Sequence, residues 1–194
     1  NPGDLTNFNG TLFFSAGDGA NGFELWKSDG TTAGTVLVQD IQAGIYGANP
    51  RFLTNINGTL YFAADNGAQG IEVWKSDGTT AGTVLVKDVQ AGGSGASPQH
   101  LINVNGALFF SSNDGVNGYE LWKSDGTANG TVLVKDIRAG GSDSSPRNLT
   151  NVSGTLFFST NDGVSGYELW KSDGTANGTV LVKDIWVGRG GAAP

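Results

Sequence analysis

Residues 24–35 read ELWKSDGTTAGT, and this stretch decides the fold because it recurs every 48 residues. The copies are EVWKSDGTTAGT at 72–83 and ELWKSDGTANGT at both 120–131 and 168–179. A fixed period of this length is typical of repeat architectures, in which each unit packs on its neighbours. We therefore treat residues 1–194 as one repeat domain, with units at 1–48, 49–96, 97–144 and 145–192.

Each unit is predicted to contain four short antiparallel strands. In the first unit we expect them near residues 5–8, 11–16, 23–27 and 35–39. Asn9-Gly10 separates the first two strands, and this dipeptide is typical of a type I′ hairpin. No stretch of ten or more residues keeps a helical period through its glycines, so no helix is predicted.

Both faces of each predicted sheet are apolar. Leu12 and Phe14 share one face of the second strand, and Phe13 lies on the other. A small sheet that must be covered on both sides favours packing like sheets around an axis. We therefore predict an all-β, four-bladed β-propeller, either a closed four-bladed ring or half of an eight-bladed dimer. A parallel β-helix and a trefoil fit the unit length and unit number less well.

Composition excludes several function classes. The formal net charge of −7 disfavours nucleic acid and anionic membranes as partners, and no apolar run is long enough for membrane insertion. The chain has no Cys and one His, His100, which rules out cysteine nucleophiles and His-rich metal centres. We expect His100 to be an ordinary surface histidine.

The repeated string ELWKSDGTANGT resembles the signature of the ELWxxDGTxxGT repeat family, a group of bacterial repeat proteins that are often large and exported. It covers all four units. The order of an Asn-Gly turn followed by an aromatic strand is also similar to kelch-type propeller blades. The resemblance implies a secreted or cell-surface protein, and it implies neither an enzymatic activity nor a ligand.

The residues of the repeated signature are predicted to be structural. In the Ser-Asp-Gly-Thr turn, a carboxylate can accept backbone N–H groups and hold a tight hairpin. A tryptophan on a strand fills a large volume between sheets. We assign these roles to Asp29, Asp77, Asp125 and Asp173, and to Trp26, Trp74, Trp122 and Trp170.

Two repeated features are also compatible with ligand binding. The only glutamates, Glu24, Glu72, Glu120 and Glu168, share a strand face with the following tryptophan, as a sugar site would, although a structural role is favoured. Asp18, Asp114 and Asp162 lie in oxygen-rich glycine loops and are weak calcium candidates, since each loop offers one carboxylate and Ca²⁺ takes about six to eight oxygen ligands. No cofactor is predicted otherwise.

The units differ most between the fourth strand and the next first strand. These connections read QAGIYGANPRF, QAGGSGASPQH, RAGGSDSSPRN and WVGRGGAAP. Loops diverge without disturbing packed blades, so a glycan or protein ligand is expected on the rim of the propeller that these connections form, which we call the variable rim. The candidate ligand residues are Tyr46, Arg138, Arg147 and Trp186.

Two functions remain open from the sequence. The favoured one is a non-enzymatic scaffold or interaction module, and the alternative is a multivalent lectin. Unpaired apolar blade faces slightly favour a homodimer over a monomer. The segment begins and ends at repeat borders without an initiator Met, which suggests a processed or excised piece.

Overall fold

The structure is a computed structural model that describes residues 1–187. Those residues form strands in consecutive groups of four. The first eight are β1 (Gly3–Phe8), β2 (Thr11–Gly17), β3 (Phe23–Ser28), β4 (Val36–Gln39), β5 (Arg51–Ile56), β6 (Thr59–Asp65), β7 (Ile71–Ser76) and β8 (Val84–Lys87). The next eight are β9 (Gln99–Val104), β10 (Ala107–Asn113), β11 (Tyr119–Ser124), β12 (Val132–Lys135), β13 (Arg147–Val152), β14 (Thr155–Asn161), β15 (Tyr167–Ser172) and β16 (Val180–Lys183).

Each group of four strands forms one antiparallel sheet, which we call blades 1 to 4 in chain order. Residues 1–187 contain no helix. The prediction of an all-β propeller with four-stranded blades is confirmed. The chain divides into two compact units, each made of two of the 48-residue repeats. Asn1–Ser97 contains blades 1 and 2, and Pro98–Pro194 contains blades 3 and 4. Below, the first and second unit are these two pairs of blades. The end of the predicted fourth unit, from residue 188, and the closing Ala193-Pro194 lie outside the described residues.

The turn between the first two strands of a blade is set by backbone geometry. In blade 1, Asn9 and Gly10 have φ angles of 52° and 87°. A type I′ turn needs positive φ at both positions, which Asn and Gly tolerate best. Asn7 Oδ1 also accepts the Gly10 N–H at 2.9 Å. The same pair of positive angles occurs at Asn57-Gly58, Asn105-Gly106 and Ser153-Gly154.

The first strand starts earlier than predicted and contains an irregularity. It begins at Gly3 instead of residue 5, and its register with β2 shifts between Gly3 and Thr6. Within that shift Asp4 has a φ of 53°, a left-handed conformation that is costly for a residue with a side chain. The equivalent residues of the other blades share it and are Phe52, His100 and Asn148. Because the residue type changes in every blade, the sequence carries no common signal for the bulge.

The hydrophobic core of each unit lies between its two blades. In the first unit, Leu60, Phe62 and Trp74 of blade 2 pack against Phe13 and Leu25 of blade 1. We call the side of a blade that carries the second-strand leucine and the tryptophan its leading face, and the opposite side its trailing face. The leading face of blade 2 thus covers the trailing face of blade 1.

The second unit repeats this packing. Leu156, Phe158 and Trp170, on the leading face of blade 4, pack against Phe109 and Leu121, on the trailing face of blade 3. None of the described residues forms a helix long and apolar enough to span a membrane.

Candidate functional site

The repeated Ser-Asp-Gly-Thr turn is held by hydrogen bonds from its own side chains. In blade 2, Asp77 Oδ1 accepts the N–H of Thr79 at 2.9 Å and its hydroxyl at 2.7 Å. Those bonds lower the pKa of Asp77. Ser76 Oγ accepts the Gly78 N–H at 3.0 Å and lies 2.7 Å from Thr83 Oγ1. The same aspartate contact occurs at Asp29, Asp125 and Asp173. These carboxylates therefore act as acceptors within their own turns.

The last glycine of the signature is required by the same turn. A Cβ at Gly82 would lie 2.0 Å from Asp77 Oδ1, well inside van der Waals contact. The equivalent clash with the turn aspartate occurs at Gly34, Gly130 and Gly178. The repeated spacing from Asp to Gly is thus explained by packing within the turn.

The repeated glutamate is buried and holds the connection to the next blade. Glu24 is 0% exposed. Its Oε2 accepts the Ile41 N–H at 3.0 Å, and its Oε1 accepts the N–H groups of Gln42 at 3.1 Å and Ala48 at 2.8 Å. These donors lie at the two ends of the variable connection. One carboxylate therefore ties both ends of a loop to the blade that precedes it.

The same contacts recur in the other blades. Glu72 accepts the N–H groups of Val89, Gln90 and Ala96, the last at 2.8 Å. Burial raises the pKa of Glu72 to about 7, against these three backbone donors, which lower it. Burial also raises the pKa of Glu24 and Glu120. Since these side chains are buried, they do not form the exposed sugar platform that the sequence left open.

The weak calcium candidates accept hydrogen bonds from their own loops. Asp114 Oδ1 accepts the N–H groups of Val116 at 2.9 Å and Asn117 at 2.7 Å. Asp18 and Asp162 make the same contacts. In the part of the chain that the structure describes, no three His, Asp or Glu side chains lie close enough to hold a metal ion. Calcium binding stays a prediction without a ligand cluster behind it.

The signature tryptophans lie largely inside the fold. Trp74, Trp122 and Trp170 are 6–7% exposed, and Trp26 is partly exposed. Lys135 Nζ lies 5.7 Å from the centre of the Trp170 ring and donates to Thr179 O. The three buried indole N–H groups have no hydrogen-bond partner among residues 1–187. Their rings fill space between sheets and do not offer a face for stacking with a sugar.

Three of the four candidate ligand residues, Tyr46, Arg138 and Trp186, lie outside the cleft between blades 3 and 4. Tyr46 is 78% exposed and Trp186 is 62% exposed. Arg138 Nη1 donates to the main-chain oxygen of Asp143 at 3.3 Å, within its own loop. Tyr46 and Trp186 remain candidates by exposure alone, whereas Arg138 is partly buried.

The fourth rim residue, Arg147, lies in a cleft of about 370 Å³ between blades 3 and 4. The lining consists of Gln99, His100, Ser111, Tyr119, Asp143, Ser145, Pro146, Arg147 and Tyr167. The first strands of both blades supply His100 and Arg147, and the third strands supply the two tyrosines. The sequence analysis did not single out these tyrosines. A signal for them was present, because Phe23 and Ile71 stand at the same position in the first two 48-residue repeats.

Arg147 is held by an aromatic ring. Its guanidinium carbon lies 3.9 Å from the centre of the Tyr167 ring, within the range of a cation–π contact. Its Nε is buried and has no hydrogen-bond partner in residues 1–187. A buried donor that lacks an acceptor is costly, so this edge of the guanidinium is suited to an incoming acceptor.

Two further groups shape the charge of the cleft. Partial burial of the imidazole, and then the charge of Arg147, lower the pKa of His100. Asp143 Oδ1 accepts the Tyr119 N–H at 2.8 Å, which fixes the carboxylate at the cleft wall. The cleft therefore presents one firm cation, one carboxylate and neutral hydrogen-bonding groups.

The junction of blades 1 and 2 contains a smaller counterpart of this cleft. Its volume is about 200 Å³, and its lining is Asn1, Gly3, Asp4, Ser15, Phe23, Asn49, Pro50 and Arg51. Arg51 occupies the place of Arg147, but Phe23 replaces Tyr119, Asp4 replaces His100 and Ile71 stands at the position of Tyr167. The backbone thus repeats, while the chemistry of the cleft is specific to the second unit.

Blade 1 exposes its leading face. Leu12 is 37% exposed, whereas Leu60 at the same position of blade 2 is 0% exposed. Leu5, also in blade 1, is 63% exposed, against 9% for its equivalent Leu53. In blade 2 these positions are buried because the blade packs on blade 1. The equivalent side chains of blade 1 are exposed to solvent.

Blade 4 exposes the opposite side, its trailing face. Leu169 is 38% exposed, whereas Leu121 of blade 3 is 0% exposed. Val182 and Ile185 are 44% and 59% exposed, against 6% and 8% for Val134 and Ile137. Blade 4 covers the trailing face of blade 3, but its own trailing face is exposed to solvent.

No family model matches the chain, and no curated protein matches it. Among solved structures, the computationally designed protein Ika8 aligns with a TM-score of 0.53 and 16% identity over 95% of this chain and 49% of the designed one. Puromycin hydrolase aligns with a TM-score of 0.57 and 15% identity over 96% of this chain and 30% of its own. A prolyl endopeptidase structure gives 0.56 and 16% over 89% and 24%. The chain thus spans about half or less of each of these proteins.

These likenesses concern the fold alone, because all three identities are 16% or lower. The prolyl endopeptidase and designed structures contain propellers, which matches the layout of the blades described above. The chain is accordingly a β-propeller repeat protein with four blades.

Proposed function

We propose that this chain is a non-enzymatic β-propeller module that acts as an assembly scaffold and binds a second copy of itself. The observation that carries the proposal is the pair of exposed apolar faces, the leading face of blade 1 and the trailing face of blade 4. Removing apolar side chains from water is worth about 25 cal/mol per Å². Two such faces in one chain therefore favour association.

The occupant of each face follows from packing within the chain. In both units, a leading face covers a trailing face of the preceding blade. The leading face of blade 1 has the same design as that of blade 2, down to Leu12 in place of Leu60. It therefore fits the trailing face of blade 4 in a second copy. Such a contact joins two different surfaces, so it is heterologous, and two chains that make it twice close into the eight-bladed dimer.

A polar contact supports the same pairing. Lys27 Nζ donates to Gly78 O at 2.8 Å, and Lys123 Nζ donates to Gly174 O at 2.7 Å in the other unit. Lys171, the equivalent lysine of blade 4, is exposed, whereas Lys27 and Lys123 are partly buried. We expect Lys171 to donate to the main-chain oxygen of Gly30 in the second copy.

The non-enzymatic part of the proposal rests on the use of the repeated carboxylates. Glu72 accepts backbone N–H groups of the connection that follows its blade, and Asp77 accepts one of its own turn, as do their equivalents. Groups engaged in this way are poorly placed to exchange protons with a substrate. A secreted or cell-surface location belongs to the same proposal and rests on the resemblance of the repeat.

Two face variants test the assembly. Leu12→Arg places a charge on the leading face of blade 1, and Leu169→Arg places one on the trailing face of blade 4. Both leucines are more than one-third exposed in the single chain, at 37% and 38%, so each variant is expected to fold. Alone, each variant should run as a monomer in sedimentation velocity.

Mixing the two variants tests which surfaces meet. One copy then keeps its trailing face and the other keeps its leading face, so a single junction can form and the mixture should contain a dimer. Val116→Arg, at a loop position that is 72% exposed, is the control and should leave assembly unchanged. Variants that associate like the unmodified chain, or a mixture that stays monomeric, would overturn the proposal.

Carbohydrate binding is the second candidate function, and the cleft between blades 3 and 4 favours it. The cleft combines two tyrosines with Gln99, Ser111 and Asp143, which can bind sugar hydroxyls. Glycan-array screening and haemagglutination test this role. Binding that disappears on substitution in the cleft supports it, and binding that depends only on Tyr46 or Trp186 contradicts this location.

A further inference from the structure

We infer that the cleft between blades 3 and 4 binds a carboxylate-bearing sugar, an uronic acid, through Arg147. This inference deepens the second candidate function above and rests on it. Independently of the assembly surfaces, it assigns a ligand class to one cleft of the second unit.

The charge of the ligand follows from Arg147. Its Nε is buried without an acceptor in the described chain, and its ring contact with Tyr167 at 3.9 Å holds the planar guanidinium in place. The Nε edge of a guanidinium pairs with both oxygens of a carboxylate in a fork geometry. A carboxylate bound there supplies the acceptor that the fold itself does not.

The neighbouring acid limits the ligand group that binds beside Arg147 to a single negative charge. Asp143 lines the same cleft, and its Oδ1 is fixed by the Tyr119 N–H. A phosphate dianion would be repelled by this carboxylate, because Arg147 is the cleft's one firm cation among the described lining residues. A monoanionic carboxylate on a ligand that also donates hydroxyl groups satisfies both side chains.

The rest of the lining favours a sugar over the C-terminus of a peptide. Pro146 is the only aliphatic side chain among the described residues that line the cleft. A bound peptide terminus buries its last side chain, which needs an apolar pocket. Gln99, Ser111 and the two tyrosine side chains instead offer donors and acceptors that match ring hydroxyls.

The non-repeated residues of the two units supply an internal control. Arg51 lines the smaller cleft of the first unit, where Ile71 stands in place of Tyr167 and no ring is available to hold the guanidinium. Arg51→Gln therefore removes an equivalent charge without touching the proposed site.

The probes are digalacturonate, the neutral disaccharide galactobiose, inorganic phosphate and the tripeptide Gly-Gly-Ala, each titrated by calorimetry. Digalacturonate should bind, and the other three should bind at least about tenfold more weakly, as expected for the loss of one charge-assisted pair. Arg147→Gln should weaken digalacturonate binding by a similar factor, and Arg51→Gln should leave it unchanged. Arg147→Lys keeps the charge without the fork and should give an intermediate affinity.

Each alternative result has a distinct meaning. Equal binding of galactobiose would retain carbohydrate binding and overturn the carboxylate. Preferred binding of phosphate or of the tripeptide would overturn the sugar. Failure of all four probes, or an equal loss in Arg51→Gln and Arg147→Gln, would overturn the site itself. Thermal unfolding of both variants must match the unmodified chain, and NMR shifts of Tyr119 and Tyr167 on titration provide a second readout.

Discussion

Ser144 and Glu120 lie 24 residues apart in the chain and meet through two hydrogen bonds. The Ser144 hydroxyl donates to Glu120 Oε2 at 2.6 Å, and its N–H donates to Oε1 at 3.1 Å. Asp143 and Ser145, on either side of Ser144, line the proposed binding cleft. A buried carboxylate of the repeat therefore positions the wall of the proposed binding cleft.

The glutamate contact predicts a large effect on stability. Glu72→Ala removes the acceptor of one buried and two partly buried backbone N–H groups, and leaving a buried donor unpaired costs about 1–3 kcal/mol. We expect the free energy of unfolding to fall by about 3 kcal/mol or more in urea titration. Val116→Ala, at a 72% exposed position, is the control and should change it little. An equal, small effect of both substitutions would contradict the role of Glu72.

The pKa of Glu72 predicts a pH dependence of the same stability. Because burial raises this pKa from 4.5 to about 7, the folded chain keeps a proton that the unfolded chain releases between these values. Its contribution to the free energy of unfolding is therefore complete below pH 4.5 and is lost as the pH rises through about 7. The free energy of unfolding of the unmodified chain, minus that of Glu72→Gln, should therefore fall as the pH rises from 4.5 to about 7. A difference that is constant or rises with pH would contradict it.

The turn geometry predicts opposite outcomes for two glycines of the same unit. Gly82→Ala places a Cβ 2.0 Å from Asp77 Oδ1, so the turn must distort at a cost of about 1–3 kcal/mol. Gly93→Ala meets only Ala68 O, at 3.7 Å, and should be neutral or slightly stabilising. Thermal unfolding of both variants measures the difference. Similar melting temperatures would show that the turn is not closed by Asp77.

Two tryptophans of the last blade distinguish packing from surface roles. Trp170 is 7% exposed, so Trp170→Ala should cost about 3–5 kcal/mol through the cavity it creates. Trp186 is 62% exposed, and Trp186→Ala should leave stability nearly unchanged. Equilibrium unfolding followed by circular dichroism makes the comparison. A stable Trp170→Ala variant would remove the packing role assigned to the repeated tryptophans.

The sequence predicts the blades because repetition, alternation and turn chemistry act locally. The Asn9-Gly10 turn and the alternation of Leu12 with Phe13 need no knowledge of distant residues. The bulge at Asp4 escapes prediction, since Phe52, His100 and Asn148 replace it in the other blades.

The candidate cleft is harder to predict for a related reason. Arg147 can be singled out as a variable residue of the rim, but its ring partner, Tyr167, lies on a different strand of the same blade. His100 and Tyr119 come from the preceding blade. Only the packing of one blade on another brings these residues together, and a single unit carries no signal for it.

The mass of the unmodified chain in solution tests the central claim of self-assembly most directly. Multi-angle light scattering after gel filtration, over a range of protein concentrations, measures it without assumptions about shape. The exposed leading face of blade 1 and trailing face of blade 4 predict a particle of about 40 kDa, twice the 20.0 kDa of one chain. A single species of 20.0 kDa at every concentration would contradict the account.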